Sequence, residues 1–154
     1  MKLEDFKTEL SIKNLAQVEY EQWLVLWQGY QQYYQANISK EVTANTWSKL
    51  TDPNYSHVYG FAALYQDEVV GIVHMIEHES CWTIQPYGYL QDLYTLENYR
   101  GKGIARALIN HVHEYAIKHR QCDRVYWLTH QENTVAQQLY DSIAKKTGFI
   151  QYRI

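Results

Sequence analysis

Apolar residues recur along this chain at two different periods, and the switches between them mark out the elements. Over 19–34, Trp23, Leu24, Leu26, Trp27, Tyr30, Tyr33 and Tyr34 fall at three- and four-residue spacing, the signature of one helix face. A second, shorter helix is expected over 39–50, with Ser39 as its N-cap and a stop at Asp52-Pro53. Residues 57–66 and 69–77 are strand-like runs, and Asp67-Glu68 between them reads as a hairpin turn lacking the usual glycine. The next strand is expected over 88–96. Over 103–119, Ile104, Ala107, Leu108, Val112, Tyr115 and Ala116 share one helix face. A strand over 123–129, a helix over 133–145 with Asn133 as N-cap, and a last strand over 149–154 follow. With a first strand placed in 7–14, the order is β-α-α-β-β-β-α-β-α-β. The strand–helix–strand unit over 88–129 requires a parallel pair with a right-handed crossover. The expected fold class is therefore α/β, a mixed central sheet with helices on both faces. A chain of 154 residues is expected to make one domain over 1–154.

Composition narrows the class. Hydrophobic residues are 46% and charged residues 20%, a soluble globular balance. A net charge of −3 supplies no basic footprint for nucleic acid. The chain has no apolar run of about eighteen residues and no apolar leader after Met1, so a cytoplasmic protein without a membrane span is expected. Cys81 and Cys122 are too few for a disulfide framework and read as reduced core residues. Fifteen tyrosines and five tryptophans can build pocket walls with polar tips. Most of the aromatic stripe on the 19–34 helix reads as packing, and its end, Tyr30 to Tyr34, as the rim of a substrate mouth. His111 with His113, and His74 with His78, lack the further ligands a metal needs, so no metal is expected.

The chemistry concentrates at Arg100-Gly101-Lys102-Gly103-Ile104-Ala105, between a strand and a helix. Two glycines at a helix start leave backbone N–H groups bare, and the helix dipole adds positive potential there. Arg100 and Lys102 contribute charge. The natural guest is a phosphate or pyrophosphate, hence a nucleotide-type cofactor. A dinucleotide fingerprint counted from Gly101 would need Gly or Ala where Arg106 stands, although Asp123 lies about twenty residues on. The Lys-Ser/Thr ending of a Walker loop is absent.

Arg100, Gly103 and Ala105 do fit Arg-x-x-Gly-x-Ala, which resembles the acetyl-CoA pyrophosphate loop of the GNAT superfamily of N-acetyltransferases. The element order is similar too. Tyr-Leu-Gln-Asp-Leu-Tyr at 89–94 resembles the family's fourth strand, and Asn133, Ala136 and Leu139-Tyr140 resemble its Asn-x-x-Ala-x-x-Leu-Tyr helix. Gly148-Phe149 resembles the Gly-Phe that follows. The likeness is greatest to the branches holding small-amine, histone, D-amino-acid and diamine acetyltransferases. Two departures stand out. Eight residues separate Tyr140 from Gly148, where the family commonly has about four, a difference of about one helical turn. Gln91 stands where diamine acetyltransferases often carry Glu, and Gln cannot act as a base.

The resemblance implies acetyl-CoA as cosubstrate and direct transfer to an amine in a ternary complex. It implies a cofactor site made from Leu93, Tyr94, Thr95, the loop Arg100, Gly101, Lys102, Gly103, Ile104 and Ala105, and Asn133. Main-chain N–H groups at Leu93 and Thr95 would hold the pantetheine arm and polarise the carbonyl. Tyr140 would be the general acid. Asp92 is the candidate base or substrate-orienting carboxylate, directly or through water relayed by Gln91 and tyrosine hydroxyls. Tyr30, Tyr34 and Gln91 would line the amine site. A small primary amine is the expected acceptor. Peptide acetylation, a CoA-binding module without turnover and a dinucleotide-binding domain are the alternatives. The last strand, an exposed edge near the end of the chain, predicts a homodimer.

Overall fold

The computed structural model describes residues 2–154. Its elements are α1 (Leu3–Glu9), β1 (Ser11–Asn14), α2 (Tyr20–Tyr33), α3 (Lys40–Thr51), β2 (Val58–Tyr65), β3 (Glu68–His78), β4 (Tyr87–Thr95), α4 (Ile104–Lys118), β5 (Arg124–Tyr126) and α5 (Thr134–Ile143). The five strands form one sheet in the order β1-β2-β3-β4-β5. All neighbours are antiparallel except β4 and β5, which are parallel across the α4 crossover.

β3 is central and buried on both faces, which is why Val69, Val70, Ile72, Val73 and Met75 read as one apolar run. Its alternate side chains feed two cores. On one face Val73 and Met75 meet Leu108, Ile109 and Val112 of α4, with Phe6 of α1 and, from α5, Leu139, Tyr140 and Ile143. On the other face Ile72 meets Trp23, Leu26 and Trp27 of α2 and Leu50 of α3. The Trp23 and Trp27 rings stack at 5.7 Å. Ser39 caps α3 as expected, accepting from the Val42 N–H at 3.1 Å.

Several boundaries differ from the sequence reading. Residues 7–14 contain the end of α1 as well as β1, because Phe6 is drawn into the core. The hairpin turn falls on Gln66-Asp67, both at positive φ (50° and 65°), so non-glycine residues occupy the left-handed turn. β5 shortens to three residues. Residues 149–154 form no strand and lie exposed, with Phe149 and Tyr152 almost bare. Extended backbone becomes a strand only where a neighbour pairs with it, and this segment has none among the described residues. Cys122 is buried as expected, but Cys81 is exposed in the β3–β4 connection.

At the far end of β3 the buried Glu77 carboxylate takes three donors. Arg120 approaches it with Nη2 at 2.8 Å, the Tyr59 hydroxyl donates at 2.9 Å, and the Cys122 thiol donates at 3.5 Å. Burial, then Glu77, pushes the Cys122 thiol up to about 12. Removing one partner of a buried ion pair leaves an uncompensated charge. Arg120→Ala is expected to lower the unfolding free energy by about 3 kcal/mol, at the low end for buried pairs because Arg120 is partly exposed. Urea denaturation of the two proteins at neutral pH measures the difference.

Candidate active site

β4 is hydrogen-bonded to a strand on both edges only over its first residues. β5 pairs with Tyr87, Gly88 and Tyr89 and no further. On the β3 side, the register passes from Met75↔Leu90 to His74↔Asp92, so Gln91 is an extra residue in a bulge. The bulge bends β4 as β5 ends, and the strands part. Leu96 N–H donates to Val70 O at 2.9 Å, on the β3 side. Alternation along the ladder then turns the N–H groups of Leu93 and Thr95 the other way, toward the gap. The Thr95 Oγ1 is also dry and, among the described residues, without a hydrogen-bond partner. An orphaned buried hydroxyl beside two bare N–H groups fits a polar, amide-bearing guest.

The glycine loop lies at the end of the same strand. Gly101 and Gly103 both sit at positive φ (75° and 88°), where a side chain is strained. A Cβ added at Gly101 would meet nothing within 4 Å, so the loop is open outward. Gly103 is the N-cap of α4, and its carbonyl accepts the first helical bond, from Ala107 N–H at 3.0 Å. The N–H groups of Ile104, Ala105 and Arg106 precede that bond and have no carbonyl in the helix to meet. Arg100 is more than a loose charge: its Nε donates to Thr95 O at 3.1 Å, and its guanidinium lies over the rings of Tyr33 (5.4 Å) and Tyr94 (5.5 Å). Lys102 lies over Phe6 and Tyr99. Ile104 is buried and anchors the helix start in the core.

Asp92 emerges from β4 on the α2 face, largely enclosed, at the centre of a polar cluster. Its Oδ2 lies 2.9 Å from His74 Nδ1, and His74 Nε2 receives the Trp23 indole N–H at 3.0 Å. The Tyr30 hydroxyl is directed to the same carboxylate, and Tyr34 and Tyr89 lie close enough to feel its charge. Burial first, then Asp92, raises the Tyr30 phenol far above its ordinary pKa. His74 was set aside in the sequence as a doubtful metal ligand. The available signal was a histidine inside an apolar strand, which must find a partner, with an aspartate in the strand beside it.

Tyr140 packs edge-on against Trp127 at 5.4 Å. Burial, then the neighbouring Tyr34 and Tyr33 phenols, raises its pKa above the usual value, so it holds its proton at neutral pH. Tyr30, Tyr33 and Tyr34 thus link Asp92, Arg100 and Tyr140. Gln91 is exposed on the bulge. Asn133 stands at the N-cap position of α5 but makes no capping bond with its side chain, which donates instead to Thr129 Oγ1 at 3.4 Å. The Tyr94 ring is partly buried and packs against the α2-side core. A Cβ on Gly29 of α2 would come within 2.7 Å of its hydroxyl, so helix and strand approach closely there.

Known proteins share this fold. The chain is 31% identical over 144 residues to HPA3, a D-amino-acid N-acetyltransferase of Saccharomyces cerevisiae, covering 92% of this chain and 88% of the relative. An aminoglycoside acetyltransferase from an uncultured soil metagenomic sample, in complex with sisomicin, superposes with a TM-score of 0.77 at 20% identity over 99% of each chain. Aminoglycoside N-acetyltransferase AAC(6')-Iy in complex with CoA superposes with a TM-score of 0.74 at 16% identity, over 94% of this chain and 93% of that one. Residues 12–144 match the acetyltransferase (GNAT) family. The parted strand, the glycine loop and these likenesses agree, and the chain belongs to the GNAT family of acetyltransferases.

Proposed function

We propose that this protein transfers the acetyl group of acetyl-CoA directly to the primary amine of a small molecule in a ternary complex. The observation that carries the reading is the parting of β4 from β5 immediately before the glycine loop. Bound in that gap, acetyl-CoA supplies an activated acyl carbonyl. The bare N–H groups at the start of α4, with Gly101 and Gly103, would hold the pyrophosphate, and Arg100 and Lys102 would supply countercharge. The N–H groups of Leu93 and Thr95 would hold the pantetheine arm and polarise the carbonyl, and the Thr95 hydroxyl would gain the partner it lacks. Tyr94, Ile104 and Ala105 would shape that gap through their backbone, and the uncapped Asn133 side chain at the start of α5 would be free to turn to the cofactor.

Asp92 would receive the amine, taking up its proton directly or through water, with Tyr30, Tyr34 and Gln91 around it. Tyr140 would give its proton to the departing sulfur. An anion ringed by tyrosines favours a cationic amine. HPA3 is named for D-amino acids and two of the structural neighbours for aminoglycosides, so small amines are the class to test first. Two free thiols suit a reducing compartment, and we place the protein in the cytoplasm. The bare apolar tail over 149–154 and the open edge of β5 suit exchange between two copies, so we propose a homodimer.

Three outcomes follow. Gly103→Val puts a β-branched residue at φ 88°, so the loop must rearrange. Its CoA affinity by isothermal titration should fall at least about tenfold while the thermal unfolding midpoint shifts little. Tyr140→Phe removes only the hydroxyl. Its kcat in a thiol-release assay should fall about a hundredfold or more with CoA affinity unchanged. Light scattering at micromolar concentration should give twice the chain mass, and removal of 149–154 should give the monomer.

A further inference from the structure

His74 is 3% exposed, and both its ring nitrogens are engaged. An indole N–H can only donate. Trp23, 3.0 Å away, therefore requires a lone pair on His74 Nε2. The single remaining ring proton sits on Nδ1 and is given to Asp92 at 2.9 Å. A second proton on Nε2 would set two N–H groups face to face. Trp27, with its ring centre 5.4 Å from that of His74, helps to hold the imidazole in place.

This arrangement has a consequence for charge. An aspartate beside a histidine ordinarily has a counter-ion ready to form. Here Trp23 withholds it. Among the described residues, no Lys or Arg forms a salt bridge with Asp92, and its side chain is only 14% exposed. A largely desolvated anion supported by neutral donors alone is left short of one positive charge. That charge is the kind an alkylammonium group brings.

We propose that Trp23 and His74 are positioning residues: the indole keeps His74 a neutral Nδ1–H donor, which aims Asp92 and leaves its charge for the ammonium group of the acceptor. The inference rests on Asp92 lying in the acceptor site, as proposed above. It adds a device in which a residue buried under α2 and out of reach of the substrate controls how strongly the amine is held.

Two measurements test it. Nitrogen-15 NMR of the histidine-labelled protein reads the tautomer without any turnover. The wild type should show His74 protonated on Nδ1 alone, and Trp23→Phe should show a second tautomer or the imidazolium. Wild-type His74 protonated on Nε2 overturns the proposal. Acetylation kinetics with n-butylamine and 1,4-diaminobutane provide the second arm. Trp23→Phe and His74→Leu should raise KM for the amine about tenfold or more, with a smaller change in kcat and none in CoA affinity. His74→Asn keeps a donor near the Nδ1 position and should recover most of the loss, which a mere packing role would not predict. Should Trp23→Phe unfold, His74→Asn against His74→Leu still decides. If Asp92→Asn raises KM while the His74 and Trp23 variants do not, the relay is wrong and the acceptor site stands. If Asp92→Asn leaves KM unchanged, the acceptor site itself is wrong and the relay falls with it.

Discussion

A strand in the middle of a sheet must pair on both edges or meet something else that can. β4 pairs on both edges for three residues and then loses its parallel neighbour. The extra residue at Gln91 bends it at the same point. Every feature of the site follows from that change. Backbone groups at Leu93 and Thr95 are freed, the Thr95 hydroxyl is left dry, and Asp92 is turned to the α2 face beside His74. The glycine loop that opens α4 then falls at the mouth of the gap rather than against a closed sheet. Without the parting, the loop proposed to hold the pyrophosphate would have nothing beside it to hold the rest of acetyl-CoA.

The sequence was informative where one physical cause dominates. Apolar spacing alone locates α2 and α4, and the long apolar runs locate β2 and β3, because burial sets those positions. Glycines at 101 and 103 marked a short turn at a helix start, and the structure adds that both lie at positive φ. Elements whose form depends on neighbours were harder to read. The alternating pattern over 149–154 has strand character but no partner among the described residues. Residues 7–14 divide between a helix and a strand because Phe6 has a place in the core, which periodicity does not record.

Polar residues inside apolar strands were the largest gap. His74 and Glu77 lie on one buried strand, and each organises a network whose other members come from distant segments: Trp23 and Asp92 for one, Tyr59, Arg120 and Cys122 for the other. A single sequence shows that such residues need partners. It does not show which ones, since the choice is made by strand order and register. Tyr30 and Tyr34 drew notice in the sequence because they end a helix stripe. Their link to Asp92 and Tyr140 needed the geometry.

The close approach at Gly29 has a mechanical side. With no side chain there, the Tyr94 ring seats directly against α2, so helix and strand leave each other no slack. Arg100 adds a rivet by lying over both Tyr33 and Tyr94. One bank of the gap is therefore stiff. The opposite bank is carried by α5, which has no fully buried residue, and by a β5 of three residues. On the proposed reading, guests of different size would be met by the compliant bank, while the glycine loop, strand and carboxylate keep their spacing. Such a molecule works like a vice with one fixed jaw, its reference surface unaltered by what it grips.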